Sequence, residues 1–216
     1  MRIGMLGTGM VGTTVGARLV KLGHEVRLGS RASGGEAATA WADAHGERAS
    51  QGTFAEAAGF GELIINATRG EASLAALDLA GAEQLDGKVL VDIANPLDFS
   101  RGFPPTVDHP GGLSLGERIQ ARFPHAAVVK ALNTVNADVM ADPAALAEPT
   151  TVFVAGDDEA AKATVTGLLV QLGWLPDQVV DVGDITAAGP LELYLPLWVR
   201  LMQVQGTARF NVRLVR

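Results

Sequence analysis

The stretch RIGMLGTGMVGTTVGARLV, residues 2–20, leaves a chain few ways to fold. A short aliphatic run meets Gly7-Thr8-Gly9-Met10-Val11-Gly12, and apolar residues at helical spacing follow. Three glycines at this spacing, between a strand and a helix, are what a dinucleotide-binding turn requires. Gly7 makes the tight turn, Gly9 lets a pyrophosphate approach the backbone, and Gly12 lets the helix pack closely on the strand. The helix start then presents free N–H groups to the anion. The competing reading is an ordinary glycine-rich turn.

The rest of the chain repeats the theme. Strands are expected over 2–6, 25–28, 63–67, 88–93 and 127–132, with a weaker one over 48–52. Helices are expected over 10–22, 35–45, 73–80 and 114–123, with a one- or two-turn helix over 54–59. The near-continuous aliphatic runs LIINA and KVLVDIA suit strands covered on both faces. Alternating strands and helices imply right-handed crossovers and a doubly wound sheet. Beyond residue 132 the rhythm loosens, with a strand over 151–155, a helix over 157–172 and a short strand over 178–182. A helix interrupted by Pro196 and an extended tail complete the chain. The expected fold class is therefore α/β: a Rossmann-like, doubly wound, mostly parallel sheet with a small helical and extended C-terminal segment. Residues 1–156 would form a dinucleotide-binding Rossmann domain, and residues 157–216 would pack on it and complete a second ligand site. The long loop over 95–112 suits a lid or binding loop.

Composition narrows the function. A formal charge of −7 argues against nucleic acid as a partner. With no cysteine there can be no disulfide, thiolate metal site or iron–sulfur cluster, and no metal site is expected. The chain opens on a strand-like run instead of a secretion signal, and no apolar run approaches the roughly 18 residues of a membrane span. A cytoplasmic protein with no membrane partner is the expectation.

The segment VRLGSRASGG, residues 26–35, states which dinucleotide is preferred. NAD sites place a carboxylate near the end of the second strand, on the ribose 2′-hydroxyl. Glu25 lies at the wrong end of that strand, and Ser30 and Arg31 stand where the acid would be. A guanidinium and a hydroxyl suit a 2′-phosphate, which a carboxylate would repel. NADP(H) is expected, the alternative being that Arg31 is a solvated loop charge.

Ligands of doubly wound sheets bind beyond the carboxyl ends of the strands. Those ends read Asn66-Ala67-Thr68-Arg69, Ala94-Asn95-Pro96 and Asn133-Thr134-Val135-Asn136, small and polar apart from Arg69. Reducing a carbonyl requires a proton donor beside it. Of the four histidines only His109, in the long loop, could reach a substrate, and Tyr194 is the sole tyrosine. Direct hydride transfer between two planar rings, with no acid or base residue assigned, fits this poverty. Only 34 residues follow Val182, too few for a large helical substrate domain. The acceptor would sit on the dinucleotide domain itself.

The blocks MLGTGMVG, LGSR, NATRGEASL, VDIANPLDF, VVKALNTVNADVM, DITAA and LYLPLWVRLM resemble the NADPH-dependent coenzyme F420 reductases, the F420H2:NADP oxidoreductases, especially of actinobacterial type. The resemblance implies reversible hydride transfer between NADP(H) and the deazaflavin coenzyme F420 in a homodimer. It implies that Thr8, Gly9, Met10 and Val11 hold the pyrophosphate, within the turn bounded by Gly7 and Gly12, and Ser30 and Arg31 the 2′-phosphate. Thr68, Arg69, Asn95 and Ala137 would lie along the nicotinamide half of the cofactor, with Asn133 and Val135 bordering the deazaflavin. The chain departs from the family at Gly35, where a second basic residue is common, and at residues 187–190, which lack an arginine.

Three other readings are compatible with these residues. A related branch supplies the NADPH domain of membrane metalloreductases, so a flavin or ferric complex is one alternative acceptor. A small imine is another, and an NADP(H) sensor without chemistry is the non-enzymatic option. Finally, Arg200, Arg209, Arg213 and Arg216 follow the last acidic residue, Glu192, and form a patch suited to an anionic ligand or to solvent. Leu193, Tyr194, Leu197, Trp198 and Leu201 recur at helical spacing and are expected in the core or a subunit interface.

Overall fold

The computed structural model describes residues 1–215; Arg216 lies outside the described residues. Strands β1 (Arg2–Leu6), β2 (Glu25–Ser30), β3 (Ala49–Thr53), β4 (Leu63–Asn66) and β5 (Val89–Asp92) are followed by a small hairpin of β6 (Leu97–Asp98) and β7 (Thr106–Val107). Then come β8 (Ala127–Ala131), β9 (Val152–Ala155) and β10 (Val179–Asp181). The helices are α1 (Met10–Lys21), α2 (Glu36–His45), α3 (Phe54–Phe60), α4 (Gly70–Ala80), α5 (Ala82–Leu85) and α6 (Leu115–Arg122), then α7 (Ala137–Ala141), α8 (Glu159–Leu172), α9 (Ala188–Leu193) and α10 (Leu195–Gln205).

One sheet runs β10-β9-β8-β5-β4-β1-β2-β3. Its central strands bury side chains on both faces: Ile3, Met5, Leu63 and Ile65 face one apolar layer, Leu6, Ile64 and Leu90 the other. This is the doubly wound, mostly parallel arrangement that the aliphatic runs imply. One pair breaks the direction: β9 runs antiparallel to β8. Strand β10 pairs parallel with β9, and α8 packs Val165, Leu168, Leu169 and Leu172 into the same core layer as β1 and β2. Strand β2 runs two residues beyond the expected end because Gly29 and Ser30 still pair with Gly52 and Thr53.

Pro196 sits in the first turn of α10, where its missing N–H costs nothing, and Tyr194 joins α9 to α10. Leu193 and Leu197 stay more than half exposed, outside the core that was one of the two places expected for them. The tail beyond α10 turns back along the sheet. Thr151 N–H donates to the Val212 carbonyl and Leu214 N–H to the Thr151 hydroxyl, both at 2.9 Å. No helix among the described residues is long and apolar enough to cross a membrane.

Candidate functional site

The site begins at the β1–α1 turn. Gly7 adopts φ +119°, a conformation L-residues avoid, and a Cβ there would lie 2.6 Å from the Ala67 carbonyl. A Cβ on Gly12 would come within 2.2 Å of the Gly7 carbonyl oxygen. Gly9 is different: a Cβ there would meet no atom within 4 Å. Its bareness leaves open space in front of α1, and nothing inside the chain requires it. Helix α1 has no side-chain cap and no acidic residue in its first turn. Its leading N–H groups therefore face that space without a protein acceptor. These features fit a pyrophosphate, and Thr8, Met10 and Val11 flank the same turn.

At the end of β2 the Ser30 hydroxyl donates to the Ala32 carbonyl at 2.6 Å, and Arg31 is exposed. Arg31 enters no salt bridge among the described residues. A 2′-phosphate there would gain a charge-assisted hydrogen bond, worth about 1.5–3 kcal/mol, and 1.4 kcal/mol is tenfold in affinity. Arg31→Ala should therefore raise the KM for NADPH about tenfold or more and leave that for NADH nearly unchanged. Equal losses with both dinucleotides in steady-state kinetics would leave Arg31 no part in the choice.

Beyond the ends of β4, β5 and β8 lies a cavity of about 640 Å³. Thr68, Arg69, Asn95, Asn133, Val135 and Ala137 all line it, as do Met10 and Val11. The structure thus brings into one place residues 127 positions apart in the chain, counting from Met10 to Ala137. Gly7, Thr8, Gly9, Gly12, Ser30 and Arg31 lie outside its lining, at the ends of β1 and β2 and the start of α1. Asn95 and Asn133 hold each other across the floor: Asn95 Nδ2 donates to the Asn133 carbonyl at 2.8 Å, and Asn133 Nδ2 to Asn95 Oδ1 at 2.9 Å. Leu132, just before, is held at φ 62°, which costs an L-residue roughly 1–2 kcal/mol. The turn it makes carries Asn133 and Val135 to the cavity.

The opposite wall comes from α10 and the tail. Leu195, Trp198, Met202, Ala208 and Arg209 face the cavity, and the Trp198 ring stacks on Phe210 with centroids 5.3 Å apart. Trp198, expected in a core or interface, is a wall of the site. Of the arginines after Glu192, Arg209 reaches the cavity, whereas Arg213 pairs with Glu148 at 3.7 Å.

Beneath the floor lies a group of charges not anticipated from the sequence. Lys130 is fully buried on β8 and donates to Asp92 Oδ2 at 2.8 Å, Glu192 Oε1 at 2.7 Å and the Ala94 carbonyl. Glu192, at the end of α9, also accepts from the backbone N–H of Leu115 and Gly116 at the start of α6. Asp92 accepts from Asn66 Nδ2 at 2.8 Å, and Asn66 Oδ1 accepts from the Thr68 hydroxyl at 2.7 Å. The chain of bonds therefore ends on a residue of the cavity. Burial raises the Asp92 carboxyl above its ordinary range against the pull of Lys130. Burial pushes the Lys130 ammonium down, but Asp92 and Glu192 together outweigh it and hold it above the ordinary lysine value. His109 is the correction: its Nε2 lies 2.8 Å from Glu192 Oε2, and it does not line the cavity. The signal for this cluster was a lone lysine in the apolar strand VVKAL beside a lone aspartate in KVLVDIA.

The family described as NADP oxidoreductase coenzyme F420-dependent matches residues 2–96. A crystal structure from Arthrobacter sp. FB24, of a protein provisionally assigned as an F420-dependent NADP-reductase, is 49% identical; the match covers all of both chains with a TM-score of 0.94. The metalloreductase STEAP3 of Rattus norvegicus is 32% identical over 205 residues, 91% of this chain, and the match spans 38% of that protein's length. A reductive aminase from Aspergillus terreus, 18% identical with a TM-score of 0.68, shares the fold over 95% of this chain and 62% of its own.

A doubly wound sheet with this turn and cavity, in this company, defines an NADP-dependent oxidoreductase. More narrowly, the chain belongs to the coenzyme F420-dependent NADP oxidoreductase family.

Proposed function

We propose that the protein transfers a hydride reversibly between NADP(H) and the deazaflavin coenzyme F420. The observation that carries this reading is the chemistry of the cavity lining. Its polar groups are Thr68, Thr134, the amides of Asn95, Asn133 and Asn136, and four charges at the rim: Arg69, Glu71, Asp138 and Arg209. No histidine, lysine or tyrosine lines it among the described residues. Such a site holds a flat ring, orients it by amide hydrogen bonds and leaves proton delivery to solvent.

The turn at Gly7–Gly12 with Ser30 and Arg31 would anchor the dinucleotide, whose nicotinamide supplies or accepts the hydride. Thr68, Arg69, Asn95 and Ala137 would then position the nicotinamide half. Asn133 and Val135 would border the deazaflavin, and Trp198, Met202 and Leu195 would close the far side and exclude water.

Mixing the protein with NADPH and coenzyme F420 should bleach the deazaflavin band in the visible spectrum, and NADP+ with reduced coenzyme should restore it. A second reading rests on the 32% identity to a metalloreductase: the acceptor is a flavin or ferric complex. Flavin reduction with no deazaflavin bleaching in either direction would establish that reading instead.

A further inference from the structure

A second cavity, of about 680 Å³, opens beside the first, and Asp138 and Arg209 line both. It follows the outer side of α1 and α7 and is lined there by Arg18, Lys21 and His45. We infer that this groove is the seat of the anionic tail of the acceptor, with Arg209 at its mouth and Arg18 and Lys21 at its far end. The inference rests on the deazaflavin reading above: coenzyme F420 carries a phosphate and a glutamate tail beyond its ring.

Three features of the groove point to an anion. Arg18, Lys21 and Arg209 enter no salt bridge among the described residues, and the Arg18 Nε is buried without an acceptor. His45 stacks on Trp41 at 4.8 Å, and its Nδ1 lies 2.6 Å from the Trp41 carbonyl, which leaves Nε2 for another partner. Asp138 and Asp142 also line the groove, so three fixed cations stand against two carboxylates. That local excess is positive in a chain of net charge −7. Length agrees as well. From Val11, on the first cavity, to Lys21 the helix advances about 15 Å at 1.5 Å per residue, the reach of an extended phosphate-and-glutamate tail.

The test compares coenzyme F420 with the tail-less deazaflavin that keeps the ring and ends before the phosphate. Affinities are read from quenching of deazaflavin fluorescence in the presence of NADP+. The wild-type protein should bind the tailed form about tenfold or more tightly, the worth of one charge-assisted hydrogen bond, and added salt should narrow the gap. In the double variant Arg18→Gln, Lys21→Gln the ratio should fall toward one, and in Arg18→Lys, Lys21→Arg it should persist. Equal binding of both forms by the wild type, or an unchanged ratio in the neutral variant, would overturn the inference. So would a neutral variant whose ratio holds while its sedimentation shows a smaller assembly, which would make the groove a contact between copies. If neither deazaflavin binds, the functional reading fails and this inference with it.

Discussion

Lys130→Met should lower the unfolding free energy by about 3–5 kcal/mol, because it leaves Asp92 and Glu192 buried together without the ammonium that bonds to both. At roughly 2–4 °C per kcal/mol for a domain of this size, the melting temperature should fall by about 6–20 °C. The loss should also depend on pH in a stated direction. Without the ammonium that opposes it, burial raises the folded-state pKa of Asp92 further above its unfolded value. A group shifted that way stabilises the fold below its unfolded pKa and loses that contribution as pH rises through the folded pKa. The variant should therefore recover part of its deficit on acidification from about pH 8 to pH 5, which melts at the two values would detect. A deficit independent of pH would mean that lost packing, and not uncompensated charge, is the cause. Thr68, three hydrogen bonds away through Asp92 and Asn66, should lose its fixed orientation, so NADPH turnover should fall even at temperatures where the variant is folded.

Gly9→Ala and Gly12→Ala should separate what the turn does for the fold from what it does for the ligand. At Gly12 the added methyl would meet a backbone oxygen at 2.2 Å, and α1 must shift away from β1. Alanine gains up to about 1 kcal/mol in helix propensity, but overpacking costs about 1–3 kcal/mol and prevails. At Gly9 the methyl meets nothing in the protein, and the loss of a glycine cap costs less than about 1 kcal/mol. Its methyl would instead stand where the pyrophosphate approaches. NADPH affinity should thus fall about tenfold to a hundredfold in both variants, while only Gly12→Ala should melt clearly early. Calorimetric titration alongside thermal melts would check the pair. An undiminished affinity in Gly9→Ala would remove the pyrophosphate from this turn.

Much of the fold is legible from periodicity. The strands of the first half announce themselves because they are apolar on both sides, and their helices because glycine, serine and threonine mark their starts. The reversed direction of β9 is not legible: TVFVA pairs equally well either way, and only the path of the chain from α7 decides it. The end of β2 extends to Ser30 because Gly29 and Ser30 still find partners in Gly52 and Thr53, and no local signal carries that. In the site, Thr68, Asn95, Asn133 and Val135 could be read from their place at strand ends. Glu192 could not, since its partner Lys130 lies 62 residues away, and a glutamate in PLELYL reads as solvated. Trp198 was misplaced for a related reason. Helical spacing says that a side chain lies on an apolar face, but not whether that face meets a core or an opening.

The segment 206–215, which brings Ala208 and Arg209 to the cavity, is fastened differently from the rest of it. It holds to Thr150 and Thr151 through a few hydrogen bonds, donated by Asn211 and Leu214 and accepted by the Val212 carbonyl, and much of it is exposed. The floor, by contrast, is bolted into the sheet. Amide hydrogens along this segment should exchange through local fluctuations that cost far less than global unfolding. A planar ring could then enter by displacing this flap, while the dinucleotide turn and the strand ends stay in register.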